Sequence, residues 1–476
     1  LLGTWTDEEY SLATTAHGVG YAVERALTFE LQAPLYFALL AAWRELNASV
    51  WFARLFSLLC ATAFFFVVAR IGKRVAPEFD SLPFAAIVAL NPFVVFAAFE
   101  IRLYSLALLV SGLMWLAFDG GYLRQSNNYS RAAFVALAIA GIYVQYFIAF
   151  ALVGFGAMLA VLGKYRVLRA YVLHAVVVAV AVVPLGFEAR SQVGGYTSQA
   201  PSVGSLIRFT AVHPALDFLF PYDRTWSVLP HLRDAYIGMV GVCVLSVIFA
   251  RPRITREVVA YASCAVTVDM LYVALATTLR VGLSDRYFVA LFVPVLVLAY
   301  ALFRSIRLSP TPVASYAVVP SVLLVLLATY SQNRFLAQAG DWQRVAAYLA
   351  QRAIIGDVIA IYPPDGIPAF KRQYLKAIPV VGFPRPYPTR QYSVSLVSVN
   401  SESEARRAFQ VLRHYRRIWF VDDVPCIPSP LDYGCHFVEA VVATDFSPAE
   451  RAMFYKATVY ELIPLPASAA KAKGSR

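Results

Sequence analysis

The runs "LFSLLCATAFFFVVA", "LALLVSGLMWLAF" and "VLHAVVVAVAVVPLGF" constrain this chain more than any other feature. A bilayer-spanning helix needs about 20 predominantly apolar residues, and lipid offers backbone polar groups no partner outside helices and closed barrels. Repeated runs of this kind predict a polytopic α-helical membrane protein. Composition agrees: 59% of the 476 residues are hydrophobic and only 15% are charged, against roughly 25% charged in soluble domains. The net charge of +12 is no sign of nucleic acid, because basic residues gathered in cytoplasmic loops give the same sum. Leu1-Leu2 reads as the end of a hydrophobic segment, so a further helix is expected upstream.

The basic residues set the topology. Lys73 and Arg74 follow a span over about 50–70, and Arg124 and Arg131 follow a pair over about 82–118. Lys164, Arg166 and Arg169 follow an apolar stretch over about 132–163. Arg251, Arg253 and Arg256 follow spans near 171–187 and 235–250, and Arg304 and Arg307 follow spans near 258–279 and 287–303. Placing each short basic loop in the cytoplasm satisfies the positive-inside rule throughout. The stretch 132–163, basic at both ends, then has to be a hairpin of two short helices turning near "YVQY". "QAPLYFALLAAWREL" is too short to span and is read as a helix on the outer face, and "SYAVVPSVLLVLLATY" is the last of about ten spans.

Three regions follow. Residues 1–49 form a first outer loop with juxtamembrane helices, and 50–330 form the bundle, with an outer loop over 188–234. Residues 331–476 form an exported soluble domain, in which "DVIAIY", "SVSLVSV" and "RRIWFVDD" read as strands between helix-like stretches such as "IPAFKRQYL". That alternation predicts an α/β domain. Cys426 and Cys435 lie in it and are a candidate disulfide in a permissive compartment; Cys60, Cys243 and Cys264 read as buried small hydrophobes.

Three constellations of chemistry-bearing residues face outward. The first is Asp7-Glu8-Glu9 followed by His17. Thr6 and Glu9 also have the spacing of a capping box at a helix start near Asp7, a rigid place to mount a catalytic acid. The second is Glu100-Ile101-Arg102-Leu103-Tyr104, and the third is Arg280 with Asp285-Arg286-Tyr287. Surface ion pairing and snorkelling account for such residues in many membrane proteins. Together, though, carboxylates able to act as a general base and arginines able to grip phosphate suit a lipid-linked phosphosugar. A divalent metal is a further option, with Asp7, Glu8, Glu100 and His17 as ligands, but no tight His/Cys spacing demands it.

In order along the chain, "DEEY", "APLYFALLAAW", "ARLFSLL", "FEIRLYSLALL" and "DRYFVALFVP" resemble the GT-C glycosyltransferases of the family 39 type. That group includes protein O-mannosyltransferases and the bacterial lipid A aminoarabinose transferase. "DWQRVAAYL", "GDVIAIYPP" and "RRIWFVDD" resemble the exported domain of bacterial members. The resemblance implies a polyprenyl-phosphate sugar donor, inversion at the anomeric carbon and an envelope glycolipid, polysaccharide or protein as acceptor, on the periplasmic side of the inner membrane. It implies that Asp7 is the catalytic aspartate with Glu8 beside it, and that Glu100, Arg102 and Tyr104 form the second outer-loop motif. It sets Arg286 and Tyr287, with Arg102, near the donor phosphate. His17, Gln145 and Tyr146 are further substrate-contact candidates. Two departures bear on specificity: Gln32-Ala33-Pro34 stands where many relatives have His-Pro-Pro, and Gln145-Tyr146 where many have His-Tyr. The rival readings are a transporter or flippase, which calls for paired repeats and broken helices at mid-membrane, and a sensor, which calls for a cytoplasmic output region.

Overall fold

The computed structural model describes residues 3–89, 91–124, 127–193, 254–278, 285–305, 341–388, 393–423, 433–454 and 457–464. The expected spans near 235–250 and 315–330, most of the loop 188–234, and Arg251, Arg253, Arg280, Arg307, Cys243 and Cys426 lie outside the described residues.

Helices α1 (Thr6–Thr14) and α2 (Gly18–Arg25) lead through a π-helical turn, Ala26–Glu30, to α3 (Leu35–Arg44). Helix α4 (Val50–Val75) is long enough to cross a bilayer. The continuous span expected after it is instead two short helices, α5 (Ser81–Ala89) and α6 (Pro92–Phe99). Asn91 makes the break: its side-chain oxygen accepts the Phe93 amide at 2.9 Å. A proline then takes the first helical position, where a missing N–H costs nothing. The chain is non-helical over Glu100–Leu103 before α7 (Tyr104–Phe118), which continues through a π-helical turn to Leu123. Helices α8 (Asn128–Val144) and α9 (Ile148–Val161) are the expected hairpin, 17 and 14 residues long, turning over 145–147. Helices α10 (Tyr165–Val193), α11 (Arg256–Thr278) and α12 (Val289–Ser305) complete the described bundle. Close packing of α9 on α11 depends on Gly154, where a Cβ would sit 2.9 Å from the Cys264 carbonyl oxygen; small residues serve helix contacts in lipid this way.

The basic loops meet at one end of the bundle. Arg74 and Arg124 both pair with Asp119, at 2.9 and 3.0 Å. The Lys164 ammonium donates to the Leu123 carbonyl, Arg256 donates to that of Val161 at 2.9 Å, and Arg304 pairs with Glu78 at 2.7 Å. Arg54 and Arg74 lie near opposite ends of α4, about 30 Å apart at 1.5 Å per residue, which matches a hydrocarbon core.

The C-terminal unit runs α13 (Trp342–Arg352), β1 (Val358–Tyr362), a 3₁₀ turn at Pro364–Gly366, α14 (Ile367–Gln373) and β2 (Val380–Gly382). It continues through α15 (Glu402–Leu412), β3 (Ile418–Asp422), α16 (Cys435–Asp445), β4 (Phe446–Phe454) and β5 (Ala457–Pro464). Its sheet has the order β2-β1-β3-β5-β4, with β1 parallel to both neighbours and β5 antiparallel to β3 and β4. Every residue of β1 and β3 is buried, which is why these runs are apolar throughout rather than alternating. "SVSLVSV" is not the expected strand but a single helical turn at Val394–Val397. Its backbone bonds are those of a turn and not of a ladder: the Leu396 amide donates to the Ser393 carbonyl and the Ser398 amide to the Val394 carbonyl, both at 2.9 Å. Cys435 is disulfide-bonded, and its expected partner Cys426 lies outside the described residues; Cys60 and Cys264 are free and buried, as expected.

Candidate functional site

The three carboxylates of α1 do not form a cluster. At 3.6 residues per turn, successive side chains leave a helix about 100° apart, so Asp7, Glu8 and Glu9 meet three different neighbours. The capping box does not form either: Thr6 is already helical, Trp5 holds the N-cap position, and no side chain caps the helix. Glu8 points into the membrane bundle. Its oxygens accept from Arg54 Nε at 3.1 Å and Nη2 at 2.9 Å, and from the Ile101 amide at 3.1 Å. Burial pushes the Glu8 carboxyl above its ordinary range, and the Arg54 fork and the Ile101 amide pull against that rise. Glu9 points to the C-terminal unit and takes both Nε and Nη2 of Arg372, the latter at 2.8 Å. Asp7 is half-buried on the remaining face, where its charge is felt by Glu30 and Asp365.

The second outer-loop motif braces the same helix. Glu100 accepts from the Trp5 indole, and its carbonyl accepts the Ser57 hydroxyl at 2.6 Å. Arg102, expected at a donor phosphate, is held by a carboxylate of its own. Its Nη1 donates to Glu30 at 2.9 Å, to Ser11 Oγ at 3.1 Å and to the Asp7 carbonyl at 3.3 Å. Glu30 also accepts the Thr14 hydroxyl at 3.0 Å; burial raises its carboxyl, and Arg102 opposes the rise. Tyr104 is buried between the rings of Phe93 and Phe96, with centroids 6.4 and 6.0 Å away.

The hairpin turn joins this face through a residue the sequence reading passed over. The Tyr146 hydroxyl donates to Gln192 Oε1 at 3.1 Å, and Gln192 Nε2 donates to the Leu27 carbonyl at 3.0 Å. Gln145 is buried at the end of α8. Tyr287 packs on Phe147 with a centroid distance of 5.7 Å, and its carbonyl accepts the Tyr272 hydroxyl at 2.7 Å. For Asp285 and Arg286 the structure describes the backbone alone, a 3₁₀ turn entering α12. His17 is exposed at the start of α2, its ring edge-on to Tyr21. The four ligands considered for a metal therefore do not converge. Glu8 is held by Arg54 and Glu100 by Trp5, and among the described residues no group of three His, Cys, Asp or Glu fits a metal ion.

Besides Gln192, the site residues that the sequence did not single out are Arg54, Glu30, Arg372 and Asp365. Arg54, an ionisable residue one turn inside an apolar span, carried a usable signal. Asp365 follows β1 in the 3₁₀ turn and lies buried against the Tyr10 side of α1. Burial pushes its carboxyl up to about 6, and the charge of Asp7 adds to the rise. A carboxyl with a raised folded pKa binds its proton more tightly when folded. Its stabilising contribution is complete below about pH 4 and is lost as pH rises through about 6. Asp365→Asn is therefore expected to gain up to about 3 kcal/mol of stability at pH 7 and nothing near pH 4. Unfolding of the two proteins followed from about pH 4 to 8 checks this.

A helical bundle with basic loops at one end, a carboxylate–arginine network at the other and a sheet-containing unit beside that network makes this a polytopic α-helical membrane protein with a C-terminal α/β unit. The fold is similar to that of ArnT from Cupriavidus metallidurans bound to undecaprenyl phosphate, with a TM-score of 0.51 and 14% identity over 97% of this chain and 94% of that one. The same protein in the apo state gives a TM-score of 0.48 at 14% identity, covering 97% and 94%. The Archaeoglobus fulgidus oligosaccharyltransferase in complex with Zn and sulfate gives 0.41 at 13% identity, covering 89% of this chain and 64% of that one. The likeness is one of fold. The sequence matches no protein-family model and no curated protein.

Proposed function

We propose that this chain is an inverting glycosyltransferase that moves a sugar from a polyprenyl-phosphate donor to a hydroxyl of an envelope acceptor. The acceptor is a glycolipid, a polysaccharide or a protein, and the reaction takes place on the outer face of the inner membrane. One observation carries the reading. On α1, Glu8 and Glu9 are each gripped by an arginine fork, while Asp7 is half-buried and near enough to Glu30 and Asp365 for its charge to raise both carboxyls. The fold in which this occurs is similar to that of a protein solved with undecaprenyl phosphate, which supports a lipid-phosphate donor.

The acceptor hydroxyl gives its proton to the Asp7 carboxylate as its oxygen attacks the anomeric carbon. The bond from that carbon to the donor phosphate breaks on the opposite face, and its electron pair leaves with the polyprenyl phosphate, so the configuration inverts. Arg286, with Tyr287 beside it, is the proposed cation at the phosphate, a role suited to a guanidinium fork. Tyr104, Gln145, Tyr146 and His17 are proposed substrate contacts. Glu8 and Glu100 hold the base in place rather than react.

The test is turnover by the purified protein in membrane lipid extract carrying polyprenyl-phosphate sugars. Mass spectrometry is expected to show donor consumed, free polyprenyl phosphate released and a sugar added to an envelope acceptor. Passage of the intact lipid-linked sugar across vesicles without its consumption overturns the reading in favour of a flippase. Orientation is checked separately. An impermeant thiol reagent is expected to label Asn400→Cys on intact spheroplasts and Lys73→Cys only after the membrane is opened. The reverse pattern would put the site in the cytoplasm.

A further inference from the structure

Helix α1 has nine residues and no side-chain cap, too short to hold its own conformation in water. Its orientation is set by what grips it, and the grips come from two bodies. From the bundle come Arg54 on Glu8, Glu100 on Trp5 and Arg102 on Ser11. From the C-terminal unit come Arg372 on Glu9 and Tyr387, whose ring stacks on Tyr10 at 6.3 Å and 24°. The Glu9 side chain is 5% exposed and that of Arg372 is 43% exposed. The carboxylate is thus deeply committed, and the arginine reaches it from the edge. A Cβ at Gly3 would sit 3.7 Å from the Gln343 Cβ of α13, so the chain just before α1 also touches this unit.

We propose that Arg372 is a positioning residue: the exported domain, latched through Arg372 to Glu9, sets the rotation of α1 at which Asp7 faces the reacting groups. The proposal rests on the reading of Asp7 as the base. Loss of the fork strands a buried carboxylate, and the helix relieves it by turning Glu9 toward water. Asp7, about 200° away around the same helix, turns with it. The exported domain is thus part of the catalytic apparatus and not an appendage above it.

The experiment uses the full chain with Arg372→Glu, the exchange Glu9→Arg/Arg372→Glu, and Gly3→Cys/Gln343→Cys placed in the Arg372→Glu background. The Cβ separation of that cysteine pair falls within the disulfide range. Arg372→Glu is expected to lower kcat at least tenfold with donor KM changed less than twofold, and to speed amide hydrogen exchange in α1. The charge exchange restores most of kcat. Oxidation of the cysteine pair restores it as well, and reductant removes that recovery. Unchanged kcat and exchange in folded Arg372→Glu overturn the proposal, as does a loss that neither the exchange nor the cross-link repairs. A wild-type protein that transfers no sugar overturns the functional reading instead, and faster α1 exchange in Arg372→Glu then still upholds the latch.

Discussion

Asp7→Asn is expected to leave the protein folded, with its melting temperature and donor binding close to wild type, and to cut transfer roughly 10²–10⁴-fold, the usual worth of a general base. Asparagine keeps the shape of the side chain but cannot accept a proton. The backbone role of the residue survives as well, since Arg102 and Ser11 bond the Asp7 carbonyl. Glu8→Gln is the comparison that gives the result meaning. Glu8 is tied by Arg54 and the Ile101 amide, so its loss is expected to lower stability more than turnover. Single-turnover rates beside thermal unfolding separate the two effects. Full activity in Asp7→Asn would remove this residue as the base.

The membrane class and the hairpin of α8 and α9 were readable because both follow from local rules, apolar length in one case and basic flanks in the other. The break between α5 and α6 had its signal too, in Asn91-Pro92, but the apolar residues on either side made a continuous span look simpler. The types of residue at the site were legible and their partners were not. Glu8 and Arg54 are 46 positions apart, and Glu9 and Arg372 are 363 apart, and no periodic pattern encodes such pairs. Sequence adjacency also misled: "DEE" reads as a cluster on the page, while helical geometry sends Glu8 to Arg54 of the bundle, Glu9 to Arg372 of the C-terminal unit and Asp7 to a third side of the helix. Arg102 illustrates the same limit. A lone arginine beside a glutamate suggested a phosphate ligand, but its partner Glu30 lies 72 positions earlier.

Arg54→Met is the sharpest test of the frame around α1. The Glu8 side chain is fully buried and that of Arg54 is 13% exposed, so the pair sits away from water. Removing one partner of such a pair typically costs about 3–5 kcal/mol, because the remaining charge is stranded, whereas replacing both partners is often neutral. Arg54→Met is therefore expected to be destabilised by that amount at pH 7, and Arg54→Met/Glu8→Leu by much less. The pH dependence follows from the same charge. Burial already raises the Glu8 carboxyl, and without Arg54 only the Ile101 and Trp5 backbone amides oppose that rise, so the folded single variant holds the Glu8 proton more tightly than the unfolded chain does. Its deficit is expected to be small near pH 4, where Glu8 is largely protonated in either state, and to grow as pH rises toward 7. Thermal unfolding of wild type, single and double variants at those two pH values decides the matter. If the double variant proved as unstable as the single one, packing by the Arg54 stem, and not the buried charge, would be what holds α1 to the bundle.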